Sequence, residues 1–411
     1  MSTKPNNAAP EKSELLDDII LHEDDLTEEA KKQFSYHTKI LDAFQRNRRC
    51  VLENDQLSPL GRHILLSKFE QAYTNGKRIM NYASTNSKVM NTSLPSFGPL
   101  VICGFPRTGS TLLFNLLACD PNCRAPLVID MSGECVPPIS RSDVDERERR
   151  MFKAKQFLEQ FIQLMDQQNQ LSHSHPYFPI EEDYLVVEQA GLQPMVTATS
   201  PIDESEYAIW YYDKTNKDFI YAYHETFLRV MNSVDKPDSH WLLKCGLHTL
   251  FIDAFLQQYP HAALIMTHRN LDEVVPSFCR LFSTFGFLFG KNNSAGKEIL
   301  KFRTLQILDK LVESTLEFRT GKNDKYDQIQ ENIIDVMYDD LMKDPVAIVR
   351  QIYNHFGLRW SEEFETAMYD WLRDNPQGKQ GRNSYSLSDF DLTHEDIVTR
   401  YGPYIDLFFR R

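Results

Sequence analysis

The first chemical signal in the chain is Gly104-Phe105-Pro106-Arg107-Thr108-Gly109-Ser110-Thr111. Glycine at both ends of that turn lets successive backbone N–H groups point inward, and the Arg107 guanidinium and the Ser110 and Thr111 hydroxyls add donors. The chemistry this set supports is anion binding. The Gly-x4-Gly spacing is that of a nucleotide phosphate loop, but Ser110 stands where an ATP or GTP site carries the Lys that reaches the outer phosphates. The run Ala262 to Met266 continues into Thr267-His268-Arg269 instead of the Asp that would help to hold magnesium. The pattern predicts a nucleotide-like anion, held without a triphosphate or a metal.

Such a loop needs a strand before it and a helix after it. Leu100 to Cys103 is continuously apolar, as in a strand buried on both faces, and Leu112, Leu113, Leu116 and Leu117 fall on one helical face after Ser110. The anion then meets the positive end of the helix dipole. Trp241 to Lys244, Ala262 to Met266 and Asn332 to Tyr338 read as further strands. Helical spacing marks Leu26 to Phe44, Pro59 to Tyr82, Arg147 to Leu171 and Glu298 to Phe318, and Asp344-Pro345 opens a helix that Gly357 can end. The alternation predicts an α/β fold with a parallel sheet between helical layers.

Two strand ends carry further cations. Ligands of such sheets gather at the carboxyl ends of strands, where Lys244 and Arg269 stand. Asn270 and Glu273 have the spacing of a capping box for a helix bearing Ser277, so that Arg269 and Ser277 can converge on one phosphate. The Tyr207 to Phe227 stretch is dense in aromatics, for which core is the first reading.

Composition narrows the classes. With 58 acidic against 45 basic residues the net charge is −13, opposite to the footprint of a nucleic-acid binder. Seven scattered cysteines suit reduced thiols, and Cys119, Cys123 and Cys135 with His173 and His175 have no zinc-type spacing. The polar, acidic start shows neither signal peptide nor membrane anchor, and a cytoplasmic protein is expected. Residues 1–25 are expected to be disordered or loosely ordered, 26–96 to form a helical region packed on the core, and 97–411 to form the main domain.

PRTGSTL (Pro106 to Leu112) resembles the 5′-phosphosulfate loop of sulfotransferases that use 3′-phosphoadenosine 5′-phosphosulfate (PAPS), and THRNLDEVVPS (Thr267 to Ser277) resembles their 3′-phosphate motif. YDDLMKDPVAIVRQIYNHFGL (Tyr338 to Leu358) and the tail around Lys379 to Phe390 are similar to the bacterial-type, broad sulfotransferase family. The resemblance implies a P-loop NTPase-like three-layer fold, a helical N-terminal extension, and no metal. It implies that Arg107, Thr108, Gly109, Ser110 and Thr111 hold the 5′-phosphosulfate, Arg269 and Ser277 the 3′-phosphate, and Tyr338 the adenine side. A late loop with Lys379, Gly381 and Arg382 would close on the 3′-phosphate.

The family's Lys-Ser-Pro-x-His segment implies catalytic roles for Lys244 and His248, with Cys245-Gly246 in place of Ser-Pro. Its acidic residue beside the acceptor maps to Asp130, after Ile129 instead of Trp, as general base or else as a loop cap. Glu182 and His248 are the rival bases. The implied reaction moves a sulfuryl group to a hydroxyl or amine of a small-molecule, lipid or carbohydrate acceptor, with no nucleic-acid partner. A P-loop small-molecule kinase and a non-catalytic nucleotide-binding module are the other classes compatible with the loop.

Overall fold

The computed structural model describes residues 21–165, 179–201, 206–290, 294–321, 329–376 and 386–410. His173, His175, Lys379, Gly381 and Arg382 lie outside them. Four parallel strands, β1 (Leu100–Gly104), β2 (Leu242–Lys244), β3 (Ala263–His268) and β4 (Ile333–Met337), form a sheet in the order β2-β1-β3-β4. These are the four apolar runs read from the sequence, and each is long enough to cross the sheet only once.

Strand alternation divides the sheet between two cores. Leu100, Ile102, Leu242, Ala263, Ile265 and Ile334 face one; Val101, Cys103, Leu243, Leu264 and Met266 face the other. The helices divide accordingly. We label α1 (Pro59–Thr85), α2 (Ser110–Leu117), α3 (Asp218–Asn232), α4 (Leu271–Ser283), α5 (Ser294–Thr320), α6 (Pro345–His355) and α7 (His394–Phe408). Leu113, Leu116 and Leu117 of α2 and Val349, Ile352 and Tyr353 of α6 cover the first face; α1, α3, α4, α5 and α7 build the larger core on the second. The result is the three-layer α/β arrangement.

Local chemistry sets the helix starts. Ser58 accepts the Gly61 N–H at 3.0 Å to open α1, and Asp344 accepts the Ala347 N–H at 3.0 Å ahead of Pro345. The expected helix from Leu26 to Phe44 is instead two helices, Glu28–Gln33 and His37–Glu53. Phe34 leaves the helical backbone and buries its ring beside Tyr36, at 5.6 Å between centroids. Of the N-terminal stretch expected to be loose, residues 21–25 are described and packed: Leu21 is buried, and Asp25 pairs with Lys77 of α1 at 2.9 Å. The aromatics Tyr211, Tyr221, Tyr223 and Phe227 are core, as read.

The close approach of β1 and β3 is decisive for the loop that follows. Gly104 lies opposite Thr267 with φ +111°, and a Cβ there would stand 2.9 Å from the Thr267 carbonyl oxygen. Gly104→Ala is expected to cost about 2–4 kcal/mol of stability, from the unfavourable backbone and the contact together. Urea denaturation measures it; a loss under about 0.5 kcal/mol, the size of a neutral surface change, would refute the constraint.

Candidate active site

The loop turns where its backbone goes left-handed, at Arg107 (φ 66°) and Gly109 (φ 81°), on either side of Thr108. A positive φ is rare for Arg, and its alternation around Thr108 forms an N–H concavity at the start of α2. Thr108 is fully buried beneath it, bonding the Phe105 carbonyl at 2.7 Å and the Thr267 hydroxyl at 2.6 Å. The Gly104 N–H donates to Thr249 at 2.8 Å. Arg107 donates its Nε–H to the Ser277 hydroxyl at 2.9 Å, so the two residues assigned to opposite ends of one ligand are in direct contact.

Lys244, at the carboxyl end of β2, sends its buried ammonium to Thr111 Oγ1 at 3.1 Å and to the Glu182 carboxylate. Glu182 is held there by its neighbour. Asp183 is completely buried: Oδ1 accepts the Lys244 backbone N–H at 2.9 Å, and Oδ2 accepts Nε2–H from His248 at 2.8 Å and from His224 at 3.0 Å. With Nε2–H directed at Asp183, Nδ1 of each ring meets a tyrosine hydroxyl, Tyr221 at 3.2 Å for His248 and Tyr259 at 2.7 Å for His224. These three side chains are the metal-compatible group among the described residues, with candidate ligand atoms within 4.8 Å of one another. The 2.8 and 3.0 Å contacts are hydrogen bonds that close the carboxylate without an ion.

The third motif lies at the end of β3. The Arg269 guanidinium lies over the Tyr338 ring at 4.0 Å, donates Nη1–H to the Arg107 carbonyl at 3.1 Å, and pairs with Glu273 through Nε at 2.8 Å. The predicted capping box is therefore half formed. Asn270 accepts the Asp272 N–H at 3.0 Å, while Glu273 turns from the helix end to the guanidinium, the stronger partner. Tyr338 also backs the phosphate loop, since a Cβ on Gly109 would stand 3.1 Å from its ring.

Arg107, Thr108, Gly109, Ser110, Thr111, Lys244, Arg269, Ser277, Tyr338 and Glu182 are thus linked around the carboxyl ends of β1, β2 and β3. Two predicted catalytic residues behave otherwise. His248 is fully buried with both ring nitrogens bonded, so it serves Asp183 and is not presented to a ligand. Asp130 is also buried, taking the Leu127 N–H at 3.0 Å and facing Arg124 at 3.5 Å, which is the loop-capping alternative. With Asp120, Arg124, Arg141 and Asp235 it lines a cavity of about 230 Å³, in which Arg124 meets Asp130 and Asp235, and Arg141 meets Asp235. Asp183 and His224 were missed. The signal for Asp183 was its place in the Glu181-Glu182-Asp183 run; nothing local marks His224, in the aromatic helix α3.

The comparisons with known proteins decide between phosphoryl and sulfuryl chemistry. The profile of the sulfotransferase family matches residues 99–362, from the start of β1 through β4 and α6. The chain belongs to the sulfotransferase family. It is a transferase, and the kinase and non-catalytic readings fall away. The omega-hydroxy-beta-dihydromenaquinone-9 sulfotransferase Stf3 of Mycobacterium bovis is 25% identical over 320 residues, covering 74% of this chain and 75% of that one. The crystal structure of sulfotransferase STF9 from Mycobacterium avium superposes with a TM-score of 0.72 at 25% identity, covering 90% of each chain. That of STF1 from Mycobacterium tuberculosis gives 0.65 at 21%, covering 92% and 93%, and shares the fold. Among the described residues of this sulfotransferase, no helix is long and apolar enough to cross a membrane.

The buried network gives the protein a signed pH dependence. Burial alone would raise the Asp183 carboxyl, but its interactions with His248 and His224 outweigh it and hold it well below its ordinary 3.8. Burial lowers His224 and His268 from 6.5 despite their carboxylate partners. In all three the unfolded chain binds protons at higher pH than the folded one, so stability falls on acidification. The histidine contribution is lost from about pH 6.5 downward and the Asp183 contribution from about pH 4 downward. Urea denaturation at pH 7, 5.5, 4 and 3 is expected to show this decline, and the part below pH 4 should shrink in Asp183→Asn. Stability rising between pH 7 and 5 would contradict the arrangement.

Proposed function

We propose that this sulfotransferase takes a sulfuryl group from PAPS and delivers it to a hydroxyl, with Glu182 as general base and Lys244 as the cation at the transferring group. The carrying observation is that one buried ammonium touches both Thr111, at the start of α2, and the Glu182 carboxylate. An acceptor hydroxyl placed beside Glu182 is within reach of a base at the point where the phosphosulfate would lie. Its oxygen attacks sulfur, its proton passes to Glu182, and the bond from sulfur to the bridging phosphate oxygen breaks. The electron pair leaves on 3′-phosphoadenosine 5′-phosphate. Lys244, Arg107 and the loop N–H groups meet the charge that grows on that oxygen.

The choice of donor is supported by the second anion site. Arg269 stands beside Tyr338 and against the Arg107 carbonyl, where a nucleotide bound to the loop would carry its 3′-phosphate. Arg107 and Lys244 supply the positive charge that Ser110 does not. The relative that acts on an omega-hydroxy menaquinone makes a hydroxylated isoprenoid lipid the first acceptor class to test.

Calorimetric titration is expected to show binding of 3′-phosphoadenosine 5′-phosphate in preference to ATP with magnesium, and a loss of that binding in Arg269→Ala. Preference for ATP would overturn the donor assignment. With labelled PAPS and a hydroxylated isoprenoid, Glu182→Gln is expected to lose about 10²–10⁴ in kcat, the usual worth of a general base. Asp130→Asn should mainly lower stability, because its partners are Arg124 and a backbone N–H. A large fall in kcat for Asp130→Asn alone, at unchanged stability, would move the base to Asp130.

A further inference from the structure

The last described helix reaches both phosphate motifs through one residue. Tyr404 of α7 is completely buried; its ring packs against Phe105, the first residue of the phosphate loop after β1, at 4.7 Å between centroids. Its hydroxyl bonds His268 Nδ1 at 2.6 Å. His268 closes β3 and immediately precedes Arg269. Its other nitrogen meets Asp335 of β4 at 2.9 Å, and Phe408, one turn further along α7, stacks on its face at 4.1 Å and 23°.

This histidine is fixed at every side. Asp335 is paired at 2.6 and 2.9 Å with Arg319 of α5, so its carboxylate is an acceptor and His268 Nε2 carries the proton. Nδ1 is then the acceptor, and the Tyr404 hydroxyl is the donor. Thr267, the residue before, is bonded to Thr108 of the phosphate loop at 2.6 Å. The backbone from Thr267 to Arg269 therefore leaves the sheet in one direction, which carries the guanidinium over Tyr338 and onto the Arg107 carbonyl.

Resting on the PAPS reading, we propose that Tyr404 and His268 are positioning residues for the 3′-phosphate: they act through Arg269 and set the enzyme's preference for a 3′-phosphorylated nucleotide over its 3′-hydroxyl counterpart. Neither side chain touches the ligand. Loss of the Tyr404 hydroxyl leaves the Thr108–Thr267 bond and the Tyr404 ring on Phe105 in place, so the 5′ site stays built while His268 and the guanidinium after it lose one anchor. The effect of Tyr404 is therefore confined to the 3′ end of the nucleotide.

The test is a pair of calorimetric titrations on the full chain, with 3′-phosphoadenosine 5′-phosphate and with adenosine 5′-phosphate. Tyr404→Phe keeps the ring on Phe105 and removes only the hydroxyl. It is expected to weaken the 3′-phosphorylated ligand by about five- to tenfold, the loss of roughly one buried hydrogen bond, and to leave adenosine 5′-phosphate within twofold of wild type. In the Arg269→Ala background the same change should leave adenosine 5′-phosphate, and the weak residual binding of the 3′-phosphorylated ligand, within twofold of the single variant. Equal weakening of both ligands, or an undiminished effect without Arg269, would show a merely structural tyrosine and overturn the proposal. No change in either ligand would overturn it as well. Phe408→Leu, which loosens the ring from its other face, provides a second variant with the same expected selectivity. Failure of wild type to bind the 3′-phosphorylated ligand would instead strike the donor assignment.

Discussion

The site depends on how closely β1 and β3 run together at their carboxyl ends. Gly104 passes Thr267 with no side chain between them, and that closeness lets Thr108 drop its hydroxyl onto Thr267. From this one crossing the phosphate loop inherits its position relative to Arg269, two residues beyond Thr267. A wider spacing would leave the two anion sites as separate features of neighbouring strands.

The remaining strand order completes the arrangement. β2 lies on the other side of β1 and brings Lys244 to the same edge, while β4 follows β3 and ends at Tyr338. Each cation thus stands at a strand end, Lys244 as the last residue of β2 and Arg269 as the first after β3. The sheet core is apolar up to those ends. Beyond them the chain uses carboxylates, the buried Asp183 beneath Lys244 and the partly buried Asp335 beside His268, to fix the polar residues that follow.

What was legible in the sequence was what is written locally. Apolar runs marked the four strands and glycine marked the loop, while Arg269 and Ser277, eight residues apart, both contact Arg107. The residues that hold the site together were hidden, because their partners are distant in sequence: Asp183 meets His224 41 positions away and His248 65 positions away. His248 and Asp130 are the opposite case: their residue types and neighbours suited catalysis, while in the structure both are buried and hydrogen-bonded within the chain. Only packing shows that Asp130 faces Arg124 while Glu182 meets Lys244, since both are carboxylates in comparable sequence surroundings.

The two strand-end cations each rest against a carboxylate of the chain itself, Lys244 against Glu182 and Arg269 against Glu273. Ligand entry is therefore an exchange of partners at a site whose charges are already balanced. The incoming anion displaces or shares an internal counter-ion, and on departure that carboxylate returns to its cation. Such a site gives up part of its affinity for any anion it takes, and in return a departing anion leaves a pocket that neutralises itself behind it.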